Sequence, residues 1–94
     1  MNEVQILDAW CKQIRNKIDK LKTKKRHMEN SFQINKTKYK IYEDNYDLKK
    51  EFQSESSRLF EECQRIKKEI KLDEREIRKY ELLLFKIENK IQSS

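Results

Sequence analysis

The sequence contains no glycine and no proline. Glycine is the usual supplier of positive φ in tight turns and phosphate-binding loops, and proline the usual sharp stop for a helix. Strand architectures and Gly-rich nucleotide sites therefore lack the residues they are built from. Histidine occurs once, at His27, and cysteine twice, at Cys11 and Cys63. Neither cysteine has a second ligand at metal spacing, and no Ser-His-Asp, Cys-His or phosphate-loop arrangement can be assembled. The expectation is a chain that is not an enzyme, holds no metal and no cofactor, and takes no small-molecule substrate. No apolar run approaches the roughly 18 residues of a membrane span, and Glu3 and Asp8 interrupt the stretch where a signal peptide would be apolar. The expected location is intracellular, cytoplasmic or nuclear.

What the chain does have is charge and helix formers. Of 94 residues, 35% are hydrophobic and 43% charged, too lean a mixture for a compact globule with a thick core of its own. Lys, Glu, Arg, Gln and Leu lose little on entering a helix. The fold class expected is all-α: a single elongated coiled-coil unit, more than about four-fifths helical. Asn2 and Gln5 fit an N-terminal capping box, with Met1 and Ile6 available as a hydrophobic staple.

Two apolar rows follow. Leu59, Cys63, Ile66, Ile70, Ile77, Tyr80, Leu84, Ile87 and Ile91 recur at alternating steps of four and three, a seam that only another helix can cover. Val4, Leu7, Cys11, Ile14, Ile18 and Leu21 form an earlier one, with Trp10 beside it. At both seams a free cysteine serves as a small hydrophobe, which suits a reducing compartment. The first row then continues through Lys25, Met28, Phe32, Asn35, Tyr39, Tyr42, Tyr46 and Lys49 with polar or bulky occupants. Asp73 interrupts the second row, and polar groups at Lys25, Asn35 and Asp73 are candidates for fixing register.

The two rows are out of step by three residues near the middle of the chain, which either overwinds a continuous coiled coil or marks a reversal. Glu43 to Asp47 precede the break, and Asn or Asp there can adopt the left-handed conformation that ends helices. This places arms at 2–43 and 49–92 around a turn at 44–48. Weaker breaks fall at Gln53 to Ser57 and at a cap-like Asn30-Ser31-Phe32-Gln33. In an antiparallel hairpin folded at 45–47, Leu7 would meet Ile87, Trp10 would meet Leu84 and Phe85, Ile18 would meet Ile77, and Phe32 would meet Cys63. Because those matched rich ends need an explanation, the hairpin is preferred to one continuous helix, although the missing glycine favours the latter.

Two features carry the functional expectation. Around Tyr80, Leu82, Leu83, Leu84 and Phe85 apolar groups lie on all sides of the helix, more than one seam can hide, so residues 80–91 are expected to dock into a larger assembly. Lys12, Arg15, Lys17, Lys20, Lys22, Lys24, Lys25 and Arg26 crowd a segment whose only acid is Asp19, in a chain of net charge +6. The leading expectation is a structural or adaptor subunit that joins helical proteins, as a homo- or hetero-oligomer, through both heptad seams. The alternative is a basic coiled coil that binds nucleic acid or another acidic surface through residues 12–26. Base-specific readout of the basic-zipper kind is not expected, since Ile14, Ile18 and Leu21 carry the seam through the basic segment.

Overall fold

A computed structural model describes residues 1–93. It is an all-α antiparallel hairpin of three helices: α1 (Glu3–Glu43), α2 (Tyr46–Glu51) and α3 (Gln53–Gln92). The start of α1 is a reciprocal capping box: the Gln5 N–H donates to Asn2 Oδ1 at 2.9 Å, and the Asn2 N–H donates to Gln5 Oε1 at 3.2 Å. The staple does not form, because Met1 is 96% exposed and Ile6 lies off the seam.

The chain reverses without a left-handed residue; among the described residues no φ is positive. Instead Asn45 is extended, at φ −130° and ψ 93°. Its side-chain amide donates to the Ile41 carbonyl at 2.8 Å, satisfying an acceptor that the end of α1 would leave open. Six helical residues follow, and the chain bends again at Phe52, whose N–H still reaches the Leu48 carbonyl while its own carbonyl accepts from the Ser56 N–H. The reversal is thus two small breaks around a short helix, wider than a turn at 44–48. Helix α1 runs unbroken through Asn30 to Gln33, so no third arm begins there, and Gln53 opens α3.

Packing divides the chain into two units, Met1–Lys25 with the C-terminal segment from Asp73, and Arg26–Leu72. In the first, Cys11, Ile14, Ile18, Ile77 and Ile87 form a buried cluster, flanked by Leu7, Leu21, Tyr80, Leu83, Leu84 and Ile91. Each fully buried side chain of this size contributes roughly 1.5–3 kcal/mol. Two ion pairs mark the register: Arg15 to Glu88 at 2.9 Å and Lys22 to Glu81 at 3.9 Å lie one heptad apart on both helices. Counted inward from them, Cys11 comes opposite Ile87, Ile14 opposite Leu84, Ile18 opposite Tyr80 and Leu21 opposite Ile77. This differs by about one helical turn from the pairing expected for a fold at 45–47. Trp10, beside the seam, is 43% exposed rather than enclosed by Leu84 and Phe85.

In the second unit Leu59, Cys63 and Ile66 are buried, and Tyr39 packs on Phe60 with ring centroids 5.6 Å apart. Tyr42 and Phe52 make a similar contact at 6.0 Å. Phe32 and Cys63 line one groove of about 320 Å³, together with Tyr39, Phe60 and Lys36. Burial pushes the Cys63 thiol up from its ordinary value, with the Glu62 charge adding to the effect, so the thiolate is disfavoured. Both cysteines are free and buried.

Candidate interaction surface

Hairpin closure decides which of the expected interface residues remain accessible. Ile14, Ile18, Leu59, Ile66, Ile77 and Ile87 are buried against the chain itself, and Leu7, Leu21, Ile70, Tyr80, Leu84 and Ile91 are half-buried. While the hairpin is closed these seams face each other and offer nothing to a second helix. Val4 is 37% exposed at the N-terminal end of the row, whereas Leu82 and Phe85 are 59% and 57% exposed on the outward side of α3. They stand three residues apart on one helical face, so they form a single apolar patch.

The basic segment is likewise divided by the fold. Arg15, Lys22, Lys24 and Lys25 turn to α3, where they meet Glu88, Glu81, Asp73 and Glu74. Lys12, Lys17, Lys20 and Arg26 have no carboxylate within salt-bridge distance among the described residues. Exposed pairs of this kind are worth about 0–1 kcal/mol each, so they orient the helices more than they hold them.

The exception is Asp73. It sits in the seam opposite Lys25 and is only 5% exposed. One carboxylate oxygen accepts a hydrogen bond from Lys24 Nζ at 3.2 Å, while the other is buried with no partner. Lys25 reaches instead to Glu74 at 3.4 Å. Unit one therefore ends, on both helices, in a polar layer.

Within α3 the charges are sorted by face. Of the acids from residue 73 onward, Asp73 lies in the seam and Glu74, Glu76, Glu81 and Glu88 flank it. The outward positions Arg75, Arg78, Lys79, Leu82, Phe85, Lys86 and Asn89 are all exposed and include no acid. Arg78 leans to Glu74 at 3.9 Å and Lys79 to Glu76 at 3.6 Å, both cations remaining largely solvated. These outward cations escape notice in a linear reading because acids separate them along the chain, and only heptad positions reveal the segregation. Intrahelical pairs follow helical spacing: Arg65 meets Glu62 three residues before it and Glu69 four residues after it. The hydrogen bond from Arg65 holds the Glu62 carboxyl below its usual range, and Arg58 does the same to Glu55.

The fold and surface define a class, the helical hairpin closed by an internal coiled-coil seam. No family model, no curated protein and no solved structure matches the chain. Among the described residues, no helix is long and apolar enough to cross a membrane.

Proposed function

We propose that this chain is a non-catalytic structural or adaptor subunit: a hairpin whose seams are used internally and whose outward α3 face docks onto a helical protein partner within a larger assembly. The observation that carries the reading is the exposure of Leu82 and Phe85, at 59% and 57%, on a helix whose seam is already covered. Apolar groups left outside a satisfied seam do nothing for the hairpin, and a partner that buried both would gain roughly 1.5–3 kcal/mol from each.

The test is the double variant Leu82→Glu/Phe85→Glu, compared with the parent by sedimentation in extract of the host cell. The variant should keep the parent's circular dichroism and thermal midpoint yet migrate as free chain, with affinity for its assembly reduced by at least about two powers of ten. Unchanged sedimentation would reject the docking role. A second reading, binding of nucleic acid or another polyanion, draws support from the unpaired Lys12, Lys17, Lys20 and Arg26. It requires binding that weakens steeply from low to physiological salt, which docking through Leu82 and Phe85 does not.

A further inference from the structure

The exposed residues of α3 in the first unit carry a pattern of their own. Arg75, Arg78, Leu82, Phe85 and Asn89 follow one another at steps of three, four, three and four, the spacing of a heptad seam, but on the side of the helix turned away from α1. The inner seam, with Ile77, Tyr80, Leu84, Ile87 and Ile91, is filled by α1, so this second row is unoccupied by the chain. Any face of a helix recurs at these steps, so what marks this one is its content: Leu82 and Phe85, 59% and 57% exposed, set between cations on a straight helical face that a second helix can follow.

Charge selects the kind of helix. Lys79 and Lys86 border the row, Arg75 and Arg78 extend it toward the N-terminal side, and no carboxylate occupies any outward position from residue 73 to residue 93. The glutamates that would neutralise a basic helix stand on the flanks, where Glu74, Glu81 and Glu88 meet Lys25, Lys22 and Arg15. A second copy presenting the same face would set cation against cation around the apolar pair. Duplex nucleic acid would match the cations but leave Leu82 and Phe85 against a polar backbone.

Resting on the docking role proposed above, we infer that the outward row Arg75, Arg78, Leu82, Phe85 and Asn89 receives an acidic amphipathic helix of a protein partner. Two apolar residues of the incoming helix cover Leu82 and Phe85. Its carboxylates lie over Arg75, Arg78, Lys79 and Lys86, an arrangement that sets partner choice and orientation as flanking charges do in coiled coils.

The experiment uses the full chain and a designed three-heptad helical peptide with leucines at seam spacing and glutamates elsewhere, alongside a twin in which every glutamate is lysine. Binding is followed by fluorescence anisotropy for the parent, for Leu82→Glu/Phe85→Glu and for Arg75→Glu/Arg78→Glu. The expected result is at least tenfold tighter binding of the acidic peptide than of its twin, lost in the first variant and reversed in preference in the second. Equal binding of both peptides that still depends on Leu82 and Phe85 would keep the docking surface and overturn the acidic partner. Peptide binding that ignores Leu82 and Phe85 would overturn both. Preference for phosphatidylserine vesicles or duplex DNA over the acidic peptide would also reject the assignment.

Discussion

Replacing Asp73 with leucine should stabilise the hairpin. Asp73 occupies a seam position between Ile70 and Ile77, 5% exposed, with one oxygen bonded to Lys24 and the other buried without a partner. Filling the position with a leucine side chain gains roughly 1.5–3 kcal/mol of apolar burial. Removing an unsatisfied buried oxygen recovers about 1–3 kcal/mol, and losing the charge-assisted bond from Lys24 returns about 1.5–3 kcal/mol. The net expectation is a gain of roughly 1–3 kcal/mol, since only the carboxylate is buried while the Lys24 side chain stays 54% exposed. For a chain of this size that raises the thermal midpoint by about 5–20 °C. Thermal and urea unfolding followed by circular dichroism read it directly, with Asp73→Asn as the control that keeps the shape and an acceptor for Lys24 while removing the charge. A leucine variant less stable than the parent by about 1 kcal/mol or more would refute the reasoning, since the Lys24 pair would then outweigh both penalties.

Asn45→Ala removes the amide that closes α1 on the Ile41 carbonyl, and should cost about 0.5–1.5 kcal/mol in chemical denaturation. Cys63 should react with iodoacetamide at pH 8 far more slowly in the folded chain than after unfolding in urea, because its thiol is buried and its ionisation pushed up. Glu55 and Glu62 ionise below their usual value through the hydrogen bonds from Arg58 and Arg65. Their contribution is therefore complete above the unfolded carboxylate value of about 4.3 and is lost as pH falls through the lower folded value. A pH series of melting curves should show stability falling on the acid side of about pH 4, and less so in Arg65→Gln than in the parent.

The inner face of this protein is legible residue by residue. From Leu7 to Tyr42 and from Leu59 to Ile91 every position of the three-four rows is buried or half-buried, because one apolar stripe on a helix has no other place to go, whereas Val4, Tyr46 and Lys49 at the ends of the first row are exposed. The capping box at Asn2 and Gln5 is equally local and equally readable. The reversal was not readable in detail. A six-residue helix such as α2 is too short to show a period, and Asn45 ends α1 through its side chain in an extended conformation rather than through the left-handed one its residue type suggests. In the first unit the ion-pair register lies about a turn from the pairing counted along the sequence, and Trp10, beside the seam rather than in it, is 43% exposed. On the outer face, Leu82 and Phe85 stand out as apolar residues off the seam. The surrounding cations emerge only once Glu74, Glu81 and Glu88 are seen to be engaged with α1.

The seams of α1 and α3 close within one chain, and the proposed docking role rests on that closure. Spin labels at Gln13 and Asn89, both exposed and both in the first unit, measure it directly by pulsed dipolar spectroscopy, with Cys11 and Cys63 replaced by valine and labelled chain diluted into unlabelled. Two packed helices with axes 8–10 Å apart and outward labels predict an intrachain distance of about 20–30 Å. A continuous helix between the same positions would place them roughly 110 Å apart at 1.5 Å per residue, beyond the reach of the method, and the loss of any intrachain signal would contradict the account.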